Sequence, residues 1–443
     1  MKLRLRNSPL QKVLRSEFLR HSAVVFGATL AANVLNYLFN VAVSRRLGVE
    51  NYAVLSALGG LLVVLSLPSI VVNLIVVKYA AEFHAVGDEQ RLARLSRVVL
   101  RWTAILAAVL FAVCFALRGF IASFLHIADD YAVIFTVTLL ALSLITPSVR
   151  GILQGRQNFR LFANSVILEL ALKVILGVAL VYAGFGVRGA MFGWSVAVGI
   201  ALCYTIWAVR SGLSRSDEAR LSIDASRLFK TISGMAAATA ALTLLSFLDV
   251  VLVKHYFDAR QAGLYAAVNL TGKVVLFIVS FLPMTLLPKA IAKAKRGESA
   301  AELLLQAAAG TLVLSGAVLT LFALMPATVI GVLAGRAFVD AAPYVFRYDI
   351  AMTLLAGITL VVNYKIALHR FDFVYLLFAI LAAEVAAIAV LHRNIGDVVN
   401  ILMIGNACAL LAATYRVNAG ARGQVSPEAA AAPRGEGRFL SRV

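Results

Sequence analysis

Residues 249–294 read DVVLVKHYFDARQAGLYAAVNLTGKVVLFIVSFLPMTLLPKAIAKA, and residues 40–83 read NVAVSRRLGVENYAVLSALGGLLVVLSLPSIVVNLIVVKYAAEF. The same parts recur in the same order. A polar residue sits deep in an apolar run (Asn40, Asp249), with basic residues at the exit of that run. A short turn closed by tyrosine follows (Tyr52; Phe257 to Tyr265), and then a helix rich in small residues with a proline inside it (Pro68, Pro283). Further along, Arg156, Phe159 and Glu169 correspond to Arg370, Phe373 and Glu384. Both sets of matches are about 214 residues apart, and one period serving two separated matches marks an internal repeat. The chain reads as two homologous halves, an N-terminal lobe over 22–215 and a C-terminal lobe over 226–416.

Hydrophobic residues make up 61% of the 443, and mean hydropathy is +0.90. A water-soluble domain is only about half apolar, so the membrane is the expected solvent. A helix needs about 20 mostly apolar residues to cross a bilayer. Runs of that kind fall near 22–44, 52–77, 98–117, 131–149, 161–183, 188–209, 231–253, 264–288, 301–325, 344–366, 372–391 and 396–415, six in each half. Only helices or closed barrels satisfy the backbone in hydrocarbon, and barrel strands would alternate over about 10 residues. The expected fold is an all-α polytopic bundle of about twelve transmembrane helices in two parallel six-helix repeats.

The net charge of +19 reads mainly as topology. With both termini in the cytoplasm, most of the 41 Lys and Arg fall on cytoplasmic segments, as the positive-inside rule requires. They include Arg91, Arg94, Arg97 and Arg101 after the second run and Lys289, Lys293, Lys295 and Arg296 after the eighth. Nucleic acid is therefore not an expected partner. Residues 1–21 are basic, with Leu10, Val13, Leu14 and Phe18 on one helical face after Pro9, and suggest an interfacial helix on the cytoplasmic leaflet rather than a cleaved signal. The tail 417–443 turns to Ala, Gly, Pro, Glu and Arg and is expected to be disordered. Cys114, Cys203 and Cys408 lie within apolar runs and read as small fillers.

Polar residues inside the runs carry the functional reading. Asn33, Asn36 and Asn40 line one stripe of the first helix. They either bridge neighbouring helices or form a cavity wall facing hydroxyl-rich cargo, which Asn73 and Asn269 could join. Pro68 and Pro283 should bend their helices at similar depths. Glu169 and Lys173 stand four apart on one face of the fifth run, and a charge at bilayer depth costs about 2.5–3.5 kcal/mol on insertion scales. The two either neutralise each other or form a site for charge or protons. Asp249 and Lys273 could pair across the hairpin, which leaves Glu384 without an obvious partner. Arg45, Arg46, Lys254 and Arg260 read as snorkelling anchors at the outer ends. Arg150, Arg156 and Arg160, around GILQGRQNFR, either serve topology or form a basic vestibule for a phosphate-bearing substrate.

Enzyme and cofactor signatures are missing from the sequence. His21, His84, His126, His255, His369 and His392 show no metal-ligand spacing, and no phosphate-binding loop for ATP occurs. Asp129-Asp130 is the one carboxylate pair that a metal-dependent glycosyltransferase could use, and it reads equally as a solvated turn. No metal or cofactor is expected.

FNVAVSRRLGVENYAVLSALGGLL (39–62), ILQGRQNF (152–159), GFGVRGAMFGW (184–194) and DVVLVKHYFDARQAGLYAAVNL (249–270) resemble the polysaccharide-transporter branch of the multidrug/oligosaccharidyl-lipid/polysaccharide exporter superfamily. The resemblance covers about residues 20 to 416. It implies alternating access between two six-helix lobes, and transfer of an undecaprenyl-pyrophosphate-linked oligosaccharide from the cytoplasmic to the periplasmic leaflet, as O-antigen flippases perform. It also implies a bacterial inner-membrane location, membrane lipids and other polysaccharide-assembly proteins as neighbours, and a cavity whose cationic residues meet pyrophosphate. Lys173, Lys273, Arg150 and Arg156 would be those cations, Asn33, Asn36, Asn40 and Asn269 would meet sugar hydroxyls, and Glu169, Asp249 and Glu384 would balance charge or carry protons. Drug-exporting relatives place an acid in the first helix, where this chain has asparagines, and peptidoglycan-precursor flippases have fourteen helices. Drug export, or a non-transporting scaffold for polysaccharide assembly, is the alternative.

Overall fold

The computed structural model describes residues 9–210, 225–283 and 301–415, with positions 286, 290 and 293 between them. The segment 1–8, the tail 417–443 and the cluster Lys289, Lys295 and Arg296 lie outside the described residues; Pro9 to His21 continue the first long helix. Among the described residues there are helices and no strands.

The N-terminal half holds α1 (Pro9–Leu65), α2 (Leu67–Ala85), α3 (Glu89–Ala116), the short α4 (Arg118–Phe124), α5 (Asp130–Gly155), α6 (Phe159–Leu180) and α7 (Gly186–Val209). The C-terminal half holds α8 (Ala225–Tyr256), α9 (Ala259–Val279), α10 (Ala301–Leu324), the short α11 (Pro326–Leu333), a 3₁₀ turn (Arg336–Ala341), α12 (Ala342–Ala367), α13 (Val374–Val390) and α14 (Ile395–Thr414). Ten helical segments among the described residues are long and apolar enough to cross a membrane, and α13 is a shorter apolar helix. Two of the ten contain glycines at positive φ. The first bends at Gly48 (φ 74°), and 159–209 passes through a π-helical turn at Val181–Phe185 with Gly184 and Gly186 at positive φ. Left-handed backbone suits glycine, which has no Cβ to clash.

Side-chain caps set where helices begin. Asp88, Asp129, Asn158, Asp258 and Asn394 each accept a backbone N–H from the first turn of α3, α5, α6, α9 and α14. The turn read over Phe257 to Tyr265 is shorter than expected, because the Asp258 cap starts α9 at Ala259. Asp129, the residue of the possible enzyme-like pair, is likewise a cap, taking the N–H of Tyr131. The two prolines break their helices close to where they stand: α1 ends just before Ser66, ahead of Pro68, and α9 gives way at Ser280, ahead of Pro283.

Packing differs between the two ends of the molecule. At the end carrying Gly48 and Asp258, one apolar core joins both halves, running from Phe39, Tyr52 and Leu58 to Tyr265, Phe338 and Tyr348. At the opposite end the cores are separate, one around Val76, Leu92 and Ile152, the other around Leu286, Leu304 and Tyr364. Among the described residues, a shared apolar core thus joins the halves at the Gly48 end, while at the other end each half keeps a core of its own. Outward, α3 shows Trp102, Val109 and Val113 and α10 shows Leu305, Leu312 and Leu321, large apolar side chains suited to a lipid face.

Candidate functional site

In the N-terminal half the site is built on α1, α6 and α7. A Cβ on Gly193 would lie 2.7 Å from the Gly177 nitrogen, so α6 and α7 touch backbone to backbone there. That contact sets Trp194 over Lys173. The Lys173 ammonium is 2% exposed, donates to Asn36 Oδ1 at 2.7 Å, and sits 3.4 Å from the Trp194 ring centre and 4.5 Å from that of Phe39. Aromatic faces and an amide oxygen thus replace water around a charge in the membrane interior.

Glu169 is not the partner of Lys173. It pairs with Arg150 on α5 at 2.7 Å, and the Arg150 guanidinium also donates to Ser165 Oγ (2.9 Å) and the Ser165 carbonyl (2.8 Å). Helical spacing placed Glu169 and Lys173 on one face, but the longer Arg150 side chain from the next helix offers the carboxylate a charge-assisted bond plus two anchoring ones. Of the arginines around GILQGRQNFR, Arg156 pairs with Glu89 at 3.0 Å, between the end of α5 and the start of α3. Arg150 and Arg156 tie helices of one half together.

The asparagine stripe divides. Asn36 meets Lys173 and stays exposed, Asn40 donates to the Asn36 carbonyl (2.8 Å) and accepts from the Tyr52 hydroxyl (3.3 Å), and Asn33 makes no hydrogen bond among the described residues. Asn73 bridges to the Pro147 carbonyl at 2.6 Å.

The C-terminal half carries a buried acidic cluster. Asp249 on α8 accepts from the hydroxyls of Tyr265 (2.5 Å) and Tyr348 (3.2 Å), and Asn269 donates to Tyr348 at 2.7 Å. The sequence correspondence of Asn40 with Asp249 and Tyr52 with Tyr265 is therefore matched by one like contact in each half. Asp349, 0% exposed, accepts from Thr271 at 3.2 Å. Glu384 lines a narrow crevice together with Asp249, and its carboxyl lies against Gly405, where a Cβ would come within 1.8 Å of Oε1. Asp249 Oδ1, Asp349 Oδ2 and Glu384 Oε1 are buried with no protein hydrogen-bond partner. Such groups are costly in a protein interior unless neutralised.

The pair expected between Asp249 and Lys273 does not form as an ion pair; both tyrosines bond Oδ2 of the carboxylate, and Oδ1 has no hydrogen-bond partner. Lys273 on α9 is half-buried, 5.5 Å from the Phe247 ring centre, with no hydrogen bond or ion pair among the described residues. Lys173 and Lys273 thus stand one in each half, each beside an aromatic ring, whereas Arg150 pairs with Glu169 and Arg156 with Glu89.

Four participants escaped the sequence reading. Asp349 and Lys365 were visible as charges within or at the edge of the 344–366 run. Lys365 is 1% exposed and donates to the Tyr415 carbonyl at 2.8 Å. Tyr348 and Trp194 gave no signal of their own, because aromatic residues are common in apolar helices. Among the described residues no cluster of His, Cys, Asp and Glu has the make-up of a metal site.

Residues 84–343, more than half of the chain, match a family model described as "Polysaccharide biosynthesis protein". The chain belongs to this family. No curated protein sequence matches it. Its fold is similar to that of an inward-facing multidrug resistance MATE family transporter of the MOP superfamily, with a TM-score of 0.72 at 13% identity over 88% of this chain and 95% of that one. It is also similar to the lipid II flippase MurJ in an inward closed conformation, with a TM-score of 0.69 at 11% identity over 89% and 87% of the two chains. An outward-facing MATE family transporter aligns at 0.61, with 14% identity over 90% and 93%. The fold is thus one found in both a MATE family transporter and the lipid II flippase MurJ.

Proposed function

We propose that this polysaccharide biosynthesis protein is a flippase that carries a lipid-linked oligosaccharide, joined to its lipid by pyrophosphate, across the bacterial cytoplasmic membrane. The observation that carries this reading is a lysine in the membrane interior of each half, Lys173 beside Trp194 and the exposed Asn36 and Lys273 beside Phe247, in a fold whose halves keep separate cores at one end. A diphosphate is the anionic part of such a substrate, and two ammonium groups held away from bulk water would bind it more strongly than they would in water. Asn36, exposed beside Lys173, would hydrogen-bond the adjoining sugar; Asn33 lies on the same stripe.

With both termini in the cytoplasm, the open end faces the inner leaflet, where such a substrate is assembled. Rocking about the Gly48 end would then expose the site to the other side. Asp249, Asp349 and Glu384, with buried oxygens lacking protein partners, supply a place to take up protons and drive that motion.

The test is the sidedness of lipid-linked oligosaccharide in cells lacking this protein, probed with an impermeant sugar-modifying reagent. The reading requires protected intermediate to accumulate, and requires the wild-type gene to reverse it while Lys173→Ala and Lys273→Ala variants at normal abundance do not. Full restoration by both variants would remove the two lysines from the mechanism.

A further inference from the structure

The end at which the halves close holds a second basic site. A cavity of about 360 Å³, within the size range of small-molecule sites of roughly 300–1,000 Å³, is lined by Ser44, Arg45 and Gly48 from the N-terminal half and by Gly335, Arg336 and Phe338, among others, from the C-terminal half. None of its lining residues is acidic.

Its geometry is held by the seam between the halves. The Ser44 hydroxyl donates to the Ala334 carbonyl at 3.1 Å and the Arg45 guanidinium to the Val332 carbonyl at 2.5 Å. Gly48 and Gly335, both at positive φ, turn the chain on either side, and at Gly335 the backbone comes so near Arg45 that a Cβ would lie 3.3 Å from Arg45 Cγ. Arg45, read from the sequence as a lipid anchor, instead spans the seam. Most of its five N–H donors stay available. Arg336 is exposed and makes no hydrogen bond or ion pair among the described residues. The nearby carboxylate, Asp340, is taken by Arg260 at 2.7 Å, so it does not neutralise Arg336.

We propose that this cavity binds a phosphate-type anion between Arg45 and Arg336, one guanidinium from each half, and that the bound anion clamps this end shut. Two planar donor groups facing one space match the geometry of a phosphate or diphosphate group. Because each half contributes one arginine, the site is complete only while the seam is closed, and occupancy therefore favours that state. The anion comes either from solution or from a phosphate-bearing lipid headgroup. The site is separate from Lys173 and Lys273, and the inference does not depend on what those residues carry.

The experiment uses the full chain purified in detergent and titrated with inorganic pyrophosphate by calorimetry. In parallel, its melting temperature is compared in nanodiscs of phosphatidic acid and of phosphatidylcholine. Arg336→Gln is the first variant, since the side chain it alters is exposed and unbonded; Arg45→Gln is the second, and Arg188→Gln, at another exposed arginine outside the cavity, is the control. Pyrophosphate binding weakened about tenfold or more by either arginine change and kept in the control establishes the site for a free anion. Stabilisation in phosphatidic acid alone, abolished by Arg336→Gln and kept in the control, establishes it for a headgroup. If Arg336→Gln matches wild type in both arms, or if Arg188→Gln weakens binding as much as Arg336→Gln does, the proposal is overturned.

Discussion

Replacing Gly263 with alanine should pry open the end at which the two halves meet. A Cβ at this position would stand 2.1 Å from the Val49 carbonyl oxygen and 2.6 Å from the carbonyl carbon. Ordinary contact needs roughly 3.4 Å or more, and neither neighbour is a flexible side-chain tip, so the helices must separate by about 1 Å. Alanine suits α9 itself, improving helix propensity by about 1 kcal/mol over glycine, so the helix is not what breaks. What gives way is the seam, including the bonds from Ser44 to Ala334 and from Arg45 to Val332. Each such bond is worth about 0.5–1.5 kcal/mol net, so the closed state should lose about 1–3 kcal/mol relative to the open one. That is a shift of roughly 5- to 150-fold in their ratio. Spin labels at Glu50→Cys and Asp340→Cys, both exposed positions on opposite halves, report the opening in a background lacking the three native cysteines. The Gly263→Ala protein should show a longer distance population absent from the parent. An unchanged distribution in a protein of unchanged stability would refute the claim that this contact holds the end closed.

Three further outcomes follow from the same geometry. Lys173→Met removes a charge that costs about 2.5–3.5 kcal/mol to bury while keeping side-chain length, so membrane abundance and melting temperature should hold or rise; a drop in either would make Lys173 structural. Gly405→Ala drives a methyl into the Glu384 carboxyl and should destabilise by about 1–3 kcal/mol, and adding Glu384→Ala should recover most of that loss in a double-mutant cycle. Arg150→Met strands Glu169 and the Ser165 carbonyl and should cost about 1–3 kcal/mol in thermal unfolding, whereas Arg150→Met with Glu169→Gln should cost clearly less. Additive losses in either pair would refute the coupling assigned to it.

Much was legible in the sequence because the bilayer leaves the backbone few options. A run of about 20 apolar residues must be a helix, and Pro68 and Pro283 mark breaks by local chemistry that acts within one or two turns. The buried polar residues were legible as candidates for the same reason, since Lys173, Asp249 and Glu384 stand out against an apolar background. Their partners were not. Spacing of four along α6 put Glu169 beside Lys173, yet the carboxylate turned to Arg150 on another helix and the ammonium to Asn36 and Trp194 on two more. Asp249 found two tyrosines instead of Lys273, and Arg45 found a carbonyl 287 positions away instead of the lipid surface. Hydropathy and periodicity depend on one residue and its near neighbours, so the sequence alone determined the helices, the membrane setting and which polar groups would be costly to bury. A hydrogen bond or ion pair depends on distances of about 3 Å between side chains from different helices. Only the packing of those helices decided which charges would be paired in place and which, like Lys273, would be left without a bonded partner among the described residues.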